Sequence, residues 1–542
     1  METIRPCADR IIINGSVLTI NAEDAIAEAV AIRGNKILAV GSNEEIKAYS
    51  GDGTEWIDAR GKTVMPGFID AHLHLAMFGL LDHGILDVTY PKAKSIADIQ
   101  DMIRAEAAKK KPGEWIKIHG YDQNKLTEGR HPTKEDLDAA APNNPVQCNR
   151  CCGHMAVYNS RALELLHLDP GEYAPGEVVF NADGSLHGLL KEGAHTRSSA
   201  KVEYTDEEFQ AGLANANRIL LGYGITSAHD AGSHGAPYIR AMQDACKNGT
   251  VKVRLRPMVF TMFGKQSQKD IIHTFLGTGL HTGCGNEHFQ LGAAKIMVDG
   301  SSSGPSCAVI EGYSHDPGNH GIQIWNQEEA NEIILEAHKA GFQVTAHAVG
   351  DKAVTIMVNA IENALRLYPR KDHRHRIEHC GLTNPELIAR IKALGIIPVS
   401  NPAFITINGR DYNRFYGDRV NYLFAMKSYL DSGIITAIGS DSPVTEPNPM
   451  NSFYAALNRA DCKTGDTVGE CQKITVLQMA RMFTYNGAYA SFEENIKGSL
   501  EPGKLADIVI LDQDLLTYPS EKIQQVKVRY TLIDGQVVYA AQ

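Results

Sequence analysis

The sequence predicts an α/β protein: a TIM-like (β/α)8 barrel, a small β-sandwich formed by both chain ends, and an insertion after the first barrel strand. Three observations predict it. Through the middle of the chain, short apolar strand candidates alternate with helical stretches, and the strand count reaches eight. Both ends of the 542-residue chain read instead as short strands and tight turns. Between about residues 76 and 217 the pattern fits no single βα unit.

The elements follow in order. Residues 8–15 form a strand closing on an Asn-Gly turn, 29–41 a hairpin around Gly34-Asn35, and 56–59 a further strand. At the other end, 506–512 and 526–533 are strands, and Asp534-Gly535 turns the second into 537–539. Neither end alone can bury a core, so residues 1–64 and 497–542 are expected to pair into one composite sandwich. Residues 65–496 supply the barrel. Its strand candidates are 64–72, 224–230, 253–260, 291–298, 342–347, 376–379, 396–400 and 434–441, with helices such as 328–339 and 352–367 between them. Within the insertion, 113–120 and 145–148 are strand-like, and the segment is expected to lie over the barrel mouth.

Composition excludes several classes. With 43% hydrophobic and 22% charged residues, the chain is ordinary for a globular protein. A net charge of -11 disfavours a nucleic-acid partner, which wants a basic patch. Residues 1–9 hold no apolar core of signal-peptide length and no stretch is apolar enough to span a bilayer, so a soluble, cytoplasmic protein without a membrane partner is expected. Ten cysteines in so long a chain do not suggest a disulfide scaffold. The single CxxC, Cys148 to Cys151, has no second pair to complete a zinc knuckle.

The chemistry collects at strand ends. His72 and His74 lie two apart after Pro66-Gly67, so on a strand both imidazoles face one point. In a barrel of this kind the carboxyl ends of the strands carry the site. The fourth strand candidate carries Lys295, the fifth ends in His347, the sixth in His379 and the eighth in Asp441. Each has a bland alternative: a capped core histidine, a Lys295–Asp299 pair, or Asp441 as a helix N-cap. Five strands bearing such groups in this order are hard to ascribe to accident.

The order resembles that of the amidohydrolase superfamily, and the resemblance spans the chain. PGFIDAHLH at 66–74, Lys295 to Gly300, HAVGD at 347–351, RIEHC at 376–380, GSDSPV at 439–444 and the closing 498–507 carry it. Gly153-His154 and Asn159-Ser160 narrow it to the branch of the N-substituted formamide deformylases. The resemblance implies two divalent metals, zinc first with manganese or iron as alternatives. His72, His74 and Asp441 would hold one, and His347 and His379 the other. Lys295 would bridge them as a carbamate, since a bare ammonium has no acceptor for a metal. A metal-activated hydroxide would attack a C–N amide bond, with Asp441 moving the proton.

The implied substrate is a small-molecule N-formyl or N-acyl amine. Cyclic amides, imides and carbamates are the alternatives. Deaminases share the ligands but resemble one another in a glutamate three residues after the fifth-strand histidine, where this chain has Gly350. A non-catalytic binding protein ranks last, because every ligand position is filled. A homodimer is left open. His154, Glu192, His119, Asp122 and Asn401 are substrate-binding candidates, with Tyr121 and Arg414 weaker, and residues 301–306 read as a flexible lid.

Overall fold

The structure, a computed structural model, describes residues 6–81, 84–151, 155–173, 175–199, 201–202, 204–232 and 235–541. The chain divides into two compact units, Met1–Leu75 with Asn217–Gln542, and Ala76–Ala216.

In the first unit the chain ends build two sheets. One has four strands, in the order Lys36–Gly41, Ala29–Arg33, Arg10–Ile13 and Glu55–Asp58. The other has six: Gln536–Ala540, Val528–Ile533, Ile508–Leu511, Thr63–Pro66, Ser16–Leu18 and Ile26–Ala27. Three strands of the second sheet come from each end of the chain, and Ile508 pairs antiparallel with Pro66. Ile12, Val30 and Ile32 of the first sheet share a buried cluster with Val64, Ile510 and Leu532 of the second.

Eight parallel strands make up the rest: β1 (Phe68–Leu73), β2 (Ile225–Asp230), β3 (Arg254–Leu255), β4 (Ala294–Met297), β5 (Val344–Ala348), β6 (Arg376–His379), β7 (Ile397–Ser400) and β8 (Ala437–Ile438). They form a sheet ordered β3-β2-β1 and a sheet ordered β4 to β8. A parallel bridge, Val259 to Ala294, links the segment after β3 to β4. At the other edge, Asp441 donates its N–H to the His72 carbonyl at 2.7 Å, and His74 donates to the Ser442 carbonyl at 2.7 Å. These strands are buried throughout, which is why they read as continuous apolar runs. Helices intervene where capping residues start them. Asn326 and Glu329 form a capping box on Gln327–Lys339, and Asn384 caps Pro385–Leu394, with Pro385 in its first turn.

The expected strand 64–72 is two strands. Gly67 donates its N–H to Asp507, while Phe68 donates to Gly224. Successive donors thus serve different sheets, and the chain crosses from one to the other at Gly67.

The second unit is more regular than its sequence suggests. Its sheet runs Val178–Phe180, Leu186–Lys191, Met155–Tyr158, Val146–Arg150, Ile116–Tyr121 and Ile85–Asp87. Ile99 and Ile103 of the helix Ile96–Ala107 pack against Ile116, Ile118 and Val146. Cys148 is buried and Cys151 exposed. Among the described residues no helix is long and apolar enough to cross a membrane.

Buried ions tie the third strand region to the C-terminal segment. Arg254 bonds Asp507 and Asp534, each at 2.7 Å. Glu493 accepts from Arg256 Nε at 2.9 Å and lies 2.9 Å from Lys497 Nζ, which also donates to Ser227 Oγ. Burial pushes the Glu493 carboxyl up, but Lys497 and Arg256 outweigh it and hold it well below its ordinary range. Glu493→Gln leaves two buried cations without their counter-charge. It is expected to lower the unfolding free energy by about 3–5 kcal/mol, read as a shift in the urea midpoint; an unchanged midpoint contradicts it.

A chain of neutral histidines sits at the amino-terminal ends of β5 and β6. Tyr368 offers only a carbonyl to His338 Nε2, so that nitrogen donates, at 2.7 Å. His338 Nδ1 then accepts from His375 Nε2 at 2.9 Å, and His375 Nδ1 accepts the Val344 N–H at 3.1 Å. Burial holds His375 well below its ordinary pKa. The unfolded histidine takes a proton below about pH 6.5, and the folded one does not. Its contribution to stability is therefore full above that pH and shrinks as the pH falls, by about 1.4 kcal/mol per pH unit. Denaturation series between pH 7 and 5 should show a flatter pH dependence in His375→Gln than in the parent.

Candidate metal centre

His72 is the penultimate residue of β1, and His74 follows the strand by one residue. Asp441 comes from the turn after β8, with φ +57°, a left-handed backbone uncommon outside glycine and typical of functional turns. Gly439 permits the approach, because a Cβ there would overlap His72. Asp70 Oδ1 accepts N–H groups from both His72 (3.2 Å) and Ser440 (3.0 Å), lashing β1 to the turn after β8. As a result Asp441 Oδ1 lies 3.2 Å from His72 Nε2 and 3.2 Å from His74 Nε2. These three side chains form a cluster able to hold a metal ion.

Two more imidazoles extend it. Ring centroids are 5.6 Å apart for His72 and His74, 4.7 Å for His72 and His379, and 4.5 Å for His379 and His347. Each ring spends one nitrogen on an orienting acceptor. His72 Nδ1 donates to Glu378, His74 Nδ1 to the Gly232 carbonyl, His379 Nδ1 to Asn401 Oδ1 at 2.8 Å and His347 Nε2 to the Gly300 carbonyl at 3.0 Å. That fixes each tautomer and leaves a lone pair on the other nitrogen. Among the described residues the Nε2 atoms of His72 and His379 are buried with no hydrogen-bond partner, an expensive state that a bound cation relieves.

The protonation states of His347, His379 and Asp441 agree. Burial brings His347 down to about 4, and burial with the neighbouring His347 and His72 keeps His379 well below its ordinary value. Burial raises Asp441, but His72 and His74 outweigh it, so the carboxylate stays ionised. Lys295 is buried, 3.1 Å from the Ala231 carbonyl, and burial brings it down to about 8 against the pull of Glu378, Asp441 and Asp230. Burial and Lys295 press His72 down, but the Asp441 and Glu378 carboxylates outweigh them and raise it above its ordinary value, so at this ring a metal ion competes with a proton. Imidazole lone pairs and an ionised carboxylate are what a divalent ion requires. The donor set fits.

Of the residues expected from the sequence, His72, His74, Lys295, His347, His379 and Asp441 all belong to the first unit; Lys295 is the second residue of β4, and the others lie at or just beyond the carboxyl ends of their strands. Asn401 has both polar ends engaged, Oδ1 with His379 and Nδ2 with the Gly439 carbonyl at 2.8 Å. Arg414 is exposed on the helix Ala403–Tyr416. His119, Tyr121, Asp122 and Glu192 belong to the second unit. His119 and Tyr121 lie on the strand Ile116–Tyr121, Asp122 accepts from Arg150 at 3.2 Å, and Glu192 opens the helix Glu192–Ser199 with φ +41°. His154 lies outside the described residues. The loop 301–306 departs from a flexible lid. Ser302 is buried, its Oγ is 2.9 Å from Tyr412 Oη, and its carbonyl accepts from Tyr416 Oη at 3.1 Å.

Sequence reasoning gave no role to Glu378, Arg376 or Asp230, and weighed Asp299 only as a partner for Lys295. Glu378 also accepts from Arg376 Nε (2.9 Å) and Thr345 Oγ1 (2.7 Å). Asp230 accepts the Leu75 N–H, just beyond His74, at 2.7 Å. The available signal was a charged residue inside an otherwise apolar strand.

Imidazoles and a carboxylate gathered at the ends of parallel strands are the donors of a metal-dependent hydrolase, the class to which the solved relatives at 26–27% identity belong. The amidohydrolase family matches residues 55–539, and the chain belongs to it. It is an enzyme acting on carbon–nitrogen bonds other than peptide bonds. Among its relatives is the N-substituted formamide deformylase of Arthrobacter pascens, 26% identical over 98% of each chain. Protein LONG AFTER FAR-RED 3 of Arabidopsis thaliana is 29% identical over 98% of this chain and 92% of its own. An uncharacterized metal-dependent hydrolase from Pyrococcus horikoshii superposes with a TM-score of 0.78 at 26% identity, covering 94% of this chain and 99% of that one.

Asn401→Leu removes the acceptor that orients His379. Loss of such a partner typically weakens metal binding by about 10–100-fold. Competition with a chromogenic chelator measures it, and an unchanged affinity would reduce Asn401 to a packing role.

Proposed function

We propose that this enzyme hydrolyses an exocyclic amide of a small, neutral, partly apolar molecule, with N-formyl and short N-acyl amines first. The observation that carries the reading is the run of four imidazoles ending on Asp441, in which the Nε2 atoms of His72 and His379 have no hydrogen-bond partner among the described residues. His72, His74 and Asp441 would hold one divalent ion, zinc first, and His347 and His379 a second, with Lys295 between them as a carbamate. Its depressed pKa supports that modification, since the neutral amine is the form that takes up CO2. When bound, the ions supply positive charge that polarises the amide carbonyl and brings the pKa of water to about 7.

The chain's own residues do the rest. Asp441 is ionised at neutral pH and accepts the proton of the attacking water on a carboxylate oxygen. As the C–N bond breaks, the same oxygen returns the proton to the departing amine nitrogen. Water's oxygen ends in the carboxylic acid, and the amine leaves neutral before taking a solvent proton. Glu378, Asn401 and the Gly232 and Gly300 carbonyls hold the rings so that their free lone pairs stay fixed.

Gly350 argues against a deaminase. A side chain there would overlap the Ala308 carbonyl oxygen, so the position has no room for a carboxylate. An apolar substrate suits the side chains left exposed after the strand ends: Met262, Ile310, Ile322, Ile407 and Val444. We also propose that the two parallel sheets are one closed (β/α)8 barrel, supported by the Val259–Ala294 bridge and the Asp441–His72 bond. Residues 1–64 with 497–542 form a composite sandwich, 65–496 the barrel, and about 76–217 its insertion.

Gently purified protein is expected to contain about two divalent ions per chain by elemental analysis, and full activity in metal-free protein would end the proposal. Asp441→Asn should keep the fold and lose about 10²–10⁴-fold in turnover. Released amine or ammonia from N-benzylformamide, an N-acyl amino acid, dihydrouracil and cytosine sorts the substrate class. Ammonia from cytosine alone would overturn the amide reading.

A further inference from the structure

Beneath the metal centre a chain of hydrogen bonds runs back through the interior of the first unit. Glu378 Oε2 takes the Nδ1 proton of His72. Arg376 grips the same carboxylate with Nε on Oε1 (2.9 Å) and Nη2 on Oε2 (3.0 Å), and also donates to the Ala71 carbonyl at 2.6 Å. Its remaining terminal nitrogen, Nη1, donates to His229 Nδ1 at 2.9 Å. His229 lies on β2, is 1% exposed, and must be neutral to accept that bond. Its proton is therefore on Nε2, and Nε2 has no partner among the described residues.

A cavity of about 20 Å³ is lined by His229, Arg256, Met258, Gln290, Gln343 and Arg376. One water needs roughly 10–15 Å³ of such volume and two or more polar neighbours. The cavity shares Thr282, Gln290 and Gln343 with a depression of about 400 Å³ at the amino-terminal ends of β4 and β5. The cavity lined by His229 thus adjoins that depression, on the face opposite the metal ligands.

We propose that His229, completed by one water on Nε2, is a positioning residue for the metal centre. It fixes the rotation of the Arg376 guanidinium, Arg376 fixes Glu378, and Glu378 fixes the tautomer and tilt of His72. Only a ring with Nδ1 as acceptor fits, because guanidinium has five donors and no acceptor. Without that acceptor a buried N–H of Arg376 is unpaired, and the guanidinium turns to find another partner. Guanidinium–carboxylate geometry is bidentate and directional, so the turn is passed to Glu378. The inference rests on the proposed metal role of His72 and not on any substrate.

The test compares His229→Leu with His229→Asn, whose Oδ1 can replace Nδ1 as the acceptor. Zinc affinity is read on metal-stripped protein by chelator competition, and thermal melting of the same samples reports the fold. His229→Leu is expected to weaken zinc binding by about 10-fold, the lower end of the effect of removing an outer-shell partner. His229→Asn should stay within about 3-fold of the parent, since the acceptor survives. In a Glu378→Gln background the His229→Leu effect should vanish, because the link is already cut. Equal zinc affinity in the parent and His229→Leu overturns the inference, as does an undiminished effect in the Glu378→Gln background. Should His229→Leu fail to fold, His229→Met takes its place. A high-resolution crystal structure of the parent decides independently: a water within hydrogen-bond distance of His229 Nε2 supports the inference, and a dry Nε2 overturns it. A parent that binds no zinc would instead sink the proposed function itself.

Discussion

The metal centre depends on one buried carboxylate. Glu378 lies in the interior, accepts from His72, Thr345 and twice from Arg376, and is held well below the ordinary carboxylate range because Arg376 and His72 outweigh its burial. A carboxylate so placed cannot be lost cheaply, since Arg376 would remain as an uncompensated buried charge. It also decides a tautomer. With its Nδ1 proton spent on Glu378, His72 can present only Nε2 to the place where Asp441 and His74 converge. Structure and chemistry are set by the same bond.

Charge balance explains the state of Lys295. Glu378 and Asp441 are the firm anions near it, and Arg376 already answers the first. Burial, helped by Arg376, brings Lys295 down to about 8 against the carboxylates around it. Under the proposed reading, divalent cations beside it push the same way by direct repulsion. An ammonium there is then the least favourable form of the residue, and a carbamate restores the missing negative charge.

The eight parallel strands were legible because they are buried on both faces and appear as unbroken apolar runs. Strand ends were legible too, since His72, His74, His347, His379 and Asp441 interrupt those runs with metal-binding chemistry. What escaped is what depends on distant partners. The stretch around Gly67 reads as one strand because nothing local says that Gly67 and Phe68 donate to Asp507 and Gly224. Glu378 sits 306 residues from His72 in sequence, so its pairing has no local signal. The sheet of the second unit was half hidden because strands such as Met155–Tyr158 and Val178–Phe180 are too short to show a period. The supposed lid at 301–306 looked flexible from its serines, but Tyr412 and Tyr416, more than a hundred residues on, anchor it.

Gly350 shows how an absence in sequence becomes a constraint in space. As a letter it says only that no glutamate stands there. In the structure Asp299, just after β4, accepts N–H groups from Ala308 (3.0 Å), Val349 (3.0 Å) and Gly350 (2.8 Å). Those three bonds draw the turn after β5 against the Ala308 segment until the Gly350 Cα meets its carbonyl. Any side chain at this position would have to break the Asp299 clasp, and the same clasp holds the turn that begins two residues after His347. The feature that removes a deaminase-type acid from the site and the feature that holds His347 in place are therefore one arrangement of backbone. Changing the reaction by placing a carboxylate at 350 would cost the ligand geometry on which any reaction at this centre depends.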